Sequence, residues 1–492
     1  MLKRNHLKTM SLVTALALAL TFASCSVGNE GTDQPASSEA GTGSYDIEIN
    51  EDITNSSDGG HAIEADGKGA QYSNLKVTKT GDSASGDEAD FYGDNSAVFA
   101  TNGATLTLKN IVVDTNGTHA NAVFSYGEGT TVNISDSVIT TSGNCSGGIM
   151  TTGGGTMNAN DLTIHTTGNS SAAIRSDRGG GTVTVDGGTY TTDGTGSPAI
   201  YSTADITVTN ASLESTASQG VVVEGKNSVT LNNVELTADN NTQNSDKSDC
   251  YQAVMIYQSM SGDAAEGLAT FTMKDGSLTN AKGDIFFVNN TVTTITLENV
   301  KIVNNDSDGV LLRAQAAGWG SSGSNGGKVN LYLKNESCDG DMIVDEISSL
   351  NLYLDSGSVY KGAVNSSNEG EVYVEIESGS KWVLTGDSYI RSLTCDGDSI
   401  DLNGHKLYVN GVEYSAGTKS EGEAIEMATG SNGGTAPDGM PGDPPGGSGS
   451  DRPELPPDGQ GGPDGSGDRP ELPPDGAPQG DGKEPPAKPD DN

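Results

Sequence analysis

The stretch Thr105-Leu106-Thr107-Leu108-Lys109-Asn110 decides the fold of this chain, because its pattern returns ten more times in the sequence. Each copy reads apolar, any residue, apolar, any residue, then usually Asn, Asp or Gly. The first apolar residues are Leu106, Val132, Met157, Val183, Ile206, Val229, Phe271, Ile295, Leu331, Leu352 and Val374. Their spacings are 26, 25, 26, 23, 23, 42, 24, 36, 21 and 22, a period that marks a stacked repeat. Alternation at period two sends Leu106 and Leu108 to one face of a strand and Thr107 and Lys109 to the other. The counterparts of Asn110 are Asp136, Asp161, Gly187, Asn210, Asn233, Asp275, Asn299 and Asn335, then Ser356 and Ser378. Most of these types tolerate left-handed backbone, so the column predicts a bend repeated in register.

A second short strand follows the bend, at Ile111-Val-Val, Ser137-Val-Ile and Leu162-Thr-Ile. A third begins at Asn121-Ala-Val-Phe, Gly148-Ile-Met, Ala173-Ile-Arg, Pro198-Ala-Ile-Tyr and Gly220-Val-Val-Val. Three strands and three bends per repeat predict an all-β chain: a single-stranded right-handed parallel β-helix, a solenoid of about 12 coils. Helical repeats need apolar residues three and four apart, which no unit has. A propeller blade needs about 40 residues or more, and the Leu-x-x-Leu-x-Leu spacing of leucine-rich repeats is missing. In the third strand Val123, Ile149, Ile174 and Ile200 form an inward column. Ser125, Thr151, Ser176 and Ser202, two residues on, are then also inward, and are expected to form a hydroxyl ladder.

Composition narrows the function classes. The net charge of −41 becomes −44 without the first 25 residues, which carry three positive charges and no negative ones. Such a surface excludes nucleic acid, whose phosphates need Lys and Arg, and direct adsorption to anionic membranes. At the N-terminus Lys3, Arg4 and Lys8 precede an apolar run from Leu12 to Leu20, the plan of an export signal (1–24) and not of a spanning helix. The Ala23-Ser24-Cys25 ending resembles a bacterial lipobox, which implies that Cys25 is the lipidated first residue of the mature chain. Residues 25–44 then read as a flexible tether and 45–415 as the β-helix. Residues 416–492 are expected to be a disordered acidic tail: 15 of the 17 prolines lie beyond residue 429, and Asp-Arg-Pro-Glu-Leu-Pro-Pro-Asp-Gly occurs at 451–459 and 468–476. Cys145, Cys250, Cys338 and Cys395 sit too many repeats apart for a disulfide and read as small buried fillers.

The coil pattern over residues 45–415 resembles the pectate-lyase-like β-helix superfamily. The lipobox, Ala172-Ala-Ile-Arg-Ser-Asp-Arg-Gly-Gly-Gly181, Ile256-Tyr-Gln-Ser-Met-Ser-Gly-Asp263 and Trp319-Gly-Ser-Ser-Gly-Ser-Asn-Gly-Gly327 look like a group of bacterial cell-surface β-helix proteins described as adhesin-like or carbohydrate-binding. The lyases of the superfamily use stacked acids that bind Ca²⁺ and an Arg base. Arg175, Asp177 and Arg178 lie together here, but Met150, Thr152, Tyr201 and Thr203 occupy the neighbouring coils. The Asp pairs, Gly-His-Gly and Arg-x-Lys of the superfamily's polygalacturonases are missing too. His61, His119, His165 and His405 are scattered and predict no metal site.

A binding face is the better expectation. Phe124, Met150, Arg175 and Tyr201 align outward on the third strand, and Glu224, Lys226, Tyr257, Gln258, Asp263, Arg313 and Trp319 follow along the same edge. The spacings of 42 and 36 place inserted loops there, where function usually sits. Aromatic platforms flanked by polar groups suit sugar rings. A loop from Asp239 to Asp249 carries three Asp and three Asn, a weak Ca²⁺ candidate without EF-hand spacing. The reading is a monomeric, non-catalytic surface lipoprotein that meets the membrane only through its lipid and presents this edge to a polysaccharide or host glycan. The alternatives are a polysaccharide lyase or glycoside hydrolase with a divergent site, and a structural envelope spacer.

Overall fold

A computed structural model describes residues 47–427 except 84, 87, 244, 246 and 249. The expected signal peptide, Cys25, the tether and the tail from residue 428 lie outside the described residues. Within them the chain is all-β: 37 strands and one five-residue helix, α1 (Glu88–Tyr92). None of the described helices is long and apolar enough to cross a membrane.

Every one of the eleven repeat anchors falls in a single register. Leu106 pairs with Val132, Val132 with Met157, Met157 with Val183, and so on through Leu352 with Val374, always parallel. The register survives both long spacings, since Val229 pairs with Phe271 and Ile295 with Leu331. These strands belong to one 19-stranded sheet. The third-strand segments make an 11-stranded sheet of their own, in which Val98, Val123, Ile149, Ile174, Ile200, Val221, Val254, Phe286, Leu312 and Met342 form one column. Both columns are buried in one continuous apolar core. Burying each large side chain is worth about 1.5–3 kcal/mol before its entropy cost. Truncating Phe271 or Leu331, both fully buried, would leave a cavity and cost roughly 2–5 kcal/mol.

The predicted bend column is real. Asn110, Asp136, Asp161, Gly187, Asn210, Asn233, Asp275, Asn299, Asn335 and Ser356 all have φ between 49° and 78°. Ser378 does not; Gly379, one residue on, takes the left-handed position at φ 92°. In Thr105–Thr115, Ser228–Ala238 and Leu268–Asn280 the first two strands run through the bend as one. The first strand of the described chain is Glu51–Asn55.

The hydroxyl ladder stands elsewhere than expected. Ser125, Thr151, Ser176 and Ser202 are buried as predicted, yet the Ser125 and Thr151 hydroxyls find no partner. A continuous ladder instead follows Thr141-x-Gly143-x-x-Ser146 and its copies ending at Ser171 and Ser197. Ser146 N donates to Ser171 Oγ and Ser171 N to Ser197 Oγ, both at 2.9 Å. The same hydroxyls donate to the carbonyls of Gly117, Gly143 and Gly168 one repeat away. Glycine is required in this corner: a Cβ on Gly168 would stand 1.9 Å from the Gly143 carbonyl oxygen.

The expected boundary at 415/416 also moves. Ile425 exchanges backbone hydrogen bonds with the Asn351 side chain at 2.9 and 3.0 Å, and Ser420 bridges Cys395. Residues 416–427 therefore lie along the large sheet, because their backbone finds polar partners on its outer face.

Candidate functional site

The outward column of the 11-stranded sheet reads Phe99, Phe124, Met150, Arg175, Tyr201, Val222, Met255, Phe287, Arg313. A row of large apolar groups on an outer face must be covered, and two sets of elements do so. α1 covers the first end, where Phe99, Phe124 and Met150 form a separate apolar cluster. Thr152 Oγ1 donates to the Phe91 carbonyl at 2.6 Å, and Tyr92 meets Tyr126 edge-on at 5.9 Å. The described residues of loop 239–251, with loops 258–267 and 315–327, flank the other end, where Val222, Met255, Tyr257, Phe287 and Trp319 form a second cluster.

The expected open platform is therefore corrected to a covered one. Phe124, Met150, Glu224, Gln258 and Trp319 are buried, and Tyr201 is half-buried. Trp319 packs edge-on against Tyr257 at 5.2 Å, and Asn325 holds its carbonyl at 2.8 Å, so the indole belongs to its own loop as much as to the face. Gln258 is spent on the Ala264 carbonyl and Arg313 on Asp284, while Lys226 is exposed. The sequence missed the cover because α1 is too short to leave a periodic signal.

Arg175 gathers two carboxylates. Its Nη2 lies 3.1 Å from both Asp90 Oδ2, delivered by α1, and Asp177 Oδ2. One guanidinium serves both acids, and they divide its benefit unequally. Arg175, His119 and Asn121 hold Asp90 below the usual carboxylate range against the cost of its burial. Burial, with Asp90 and Asp263 nearby, pushes Asp177 up to about 7 despite Arg175. Arg178, by contrast, is exposed: its guanidinium sits 3.9 Å over the Phe91 ring and pairs with Asp263 at 2.7 Å, tying α1 to the 258–267 loop.

Further along, Glu224 is buried and accepts from three hydroxyls: Tyr201 at 2.5 Å, Tyr257 at 3.1 Å, and Ser259. Burial raises both tyrosines well above the ordinary phenol value, and the Glu224 charge raises them further. Their rings, with Val222, Met255 and Trp319, floor a cleft of about 190 Å³. Its walls and rim are Gln219, Asn240, Thr242, Gln243, Ser245, Ser248 and Gln252. Among the described lining residues there is no Asp, Glu, Lys or Arg. Gln252 is buried there with its Oε1 unpartnered. In the 239–251 loop, Asn240 and Asn241 donate their amides to the Gln252 and Thr216 carbonyls, which pins the loop; Asp246 and Asp249 of the candidate Ca²⁺ loop lie outside the described residues.

Of the sequence candidates, then, Tyr201, Tyr257 and Trp319 meet at the cleft, with Glu224 behind them. Arg175, Asp177, Arg178 and Asp263 form the neighbouring ionic group. Lys226, Gln258 and Arg313 join neither. No family model matches the chain, and no curated protein or solved structure gives a match either.

Proposed function

We propose that this chain is a right-handed parallel β-helix whose one covered edge binds a neutral sugar unit without transforming it. The observation that carries this reading is the cleft above Tyr201 and Tyr257. In a chain of net charge −41, its described lining is free of charged side chains and combines aromatic floor with amide and hydroxyl rim. That is the chemistry of a carbohydrate site: rings stack on the aromatic floor, and hydroxyls exchange hydrogen bonds with amides. At about 190 Å³ the cleft is smaller than drug-sized sites of roughly 300–1,000 Å³, which suits a single ring or chain end.

A lyase or hydrolase reading would put its acids and Arg175 within reach of substrate. Arg175 is instead covered by α1 and engaged by Asp90 and Asp177 at 3.1 Å, which counts against a general-base role. The export signal, a lipid on Cys25 and surface display remain part of the proposal, resting on the sequence of residues 1–25. A glycan panel probed with the full chain tests the function. Binding to neutral glycans, lost in Trp319→Ala and Gln243→Ala, supports it. Wild-type behaviour of both variants, or no glycan bound, defeats it.

A further inference from the structure

His119 and Cys145 stand 26 positions apart, one repeat, at equivalent corners of the fold. Both have left-handed backbone, φ 55° and 56°, and Ser170 and Gly196 continue the column. The repeat thus stacks an imidazole next to a thiol. From the covering side, α1 brings Asp90 Oδ2 to 3.1 Å from both His119 Nδ1 and Arg175 Nη2, and Arg175 also reaches the Cys145 carbonyl at 3.5 Å. One donor atom from each of Asp90, His119 and Cys145 lies within 4.8 Å of the other two, and all three residues are buried.

We propose that Asp90, His119 and Cys145 form a binding site for one borderline-soft divalent cation of the zinc class. The donor set decides the class of metal. Carboxylate oxygen, imidazole nitrogen and thiolate sulfur suit zinc or cobalt, whereas calcium and magnesium take oxygen ligands throughout. Ligand atoms held about 2.0–2.3 Å from one cation would stand about 3–4 Å apart. Asp90 Oδ2 and His119 Nδ1 are already 3.1 Å apart, so only modest closure is needed.

The surroundings fit. Asn121 donates to Asp90 Oδ1 at 3.0 Å and Arg175 to Oδ2 at 3.1 Å, and such outer partners orient ligating carboxylates. Binding displaces the Cys145 thiol proton to solvent and leaves the thiolate on the cation. The cation would then staple α1 to the sheet and close the cover over Phe124 and Met150.

The test uses the untagged full chain, stripped by a chelator and titrated with Zn²⁺ and with Co²⁺. The expected result is one tightly held equivalent, a thiolate-to-cobalt charge-transfer band, and a raised melting temperature on loading. Cys145→Ser and His119→Gln should lose the equivalent and the band, while His165→Ala, at an exposed histidine paired with Asp193, should keep both. A wild-type cobalt spectrum without the thiolate band overturns the proposal whatever the variants do. So does a folded Cys145→Ser chain that retains the equivalent.

Discussion

Tyr201 and Tyr257, 56 positions apart in sequence, donate their hydroxyls to the same oxygen of Glu224, at 2.5 and 3.1 Å. This shared acceptor fixes both rings as the floor of the cleft, and it makes Glu224 the hinge of the site's stability. Removing it in Glu224→Ala strands buried hydroxyls, each costing about 1–3 kcal/mol. Chemical denaturation should show a loss of about 2–4 kcal/mol, with a smaller loss in Glu224→Gln, which keeps an acceptor oxygen. Equal stability of Glu224→Ala and wild type would mean the shared acceptor contributes nothing.

The same burial predicts alkaline behaviour. Tyr201 and Tyr257 are raised well above the ordinary value by burial first and by Glu224 second. Unfolded tyrosine ionises near 10, so the folded chain binds more protons than the unfolded one above that pH. Their contribution is complete below about pH 10 and is lost as pH rises beyond it. A tyrosinate absorbance titration should show a group of phenols that ionise only as the chain unfolds; smooth titration of all tyrosines near 10 would contradict this.

Asp177 gives a second pH signature, in the neutral range. Its folded value of about 7 exceeds the unfolded value near 3.9, so folding takes up a proton between them. Stability from this group is complete below about pH 4 and falls as pH rises through 7. Asp90, held low, acts in the opposite sense, losing its contribution as pH falls below about 4. In Asp177→Asn the decline between about pH 4 and 7 should flatten, while the acid limb from Asp90 remains. Parallel stability profiles for variant and wild type would refute the assignment.

Two buried serines should respond in opposite ways. Ser171 accepts from Ser146 N at 2.9 Å and donates to the Gly143 carbonyl, so Ser171→Ala should cost about 1–3 kcal/mol. Ser125 has an unpartnered hydroxyl, and Ser125→Ala should be neutral or stabilising by up to about 1 kcal/mol. Denaturant midpoints decide; the reverse order would overturn the ladder as drawn.

The regular part of the molecule was legible because it is local and periodic. Leu106 to Val374 fall in one register, and the Asn110 column bends as its residue types require. The covering layer was not legible. α1 is five residues long, and its Asp90 reaches Arg175 across 85 positions with no pattern to announce it. The stack of His119 and Cys145 was written in the spacing, but its third member was not. The hydroxyl ladder was misplaced because alternation finds inward positions without finding partners: Ser125 faces inward and meets no acceptor, whereas Ser171 sits at a corner opposite a glycine carbonyl.

The neutral cleft is the centre of the proposed function, and its charge preference is what a single measurement reaches most directly. Titration calorimetry of the full chain against a neutral oligosaccharide and its uronate counterpart should show binding of the neutral form, at least ten-fold weaker binding of the uronate, and loss of both in Trp319→Ala. Equal or tighter binding of the uronate, or binding that Trp319→Ala leaves intact, would contradict a sugar site above Tyr201 and Tyr257.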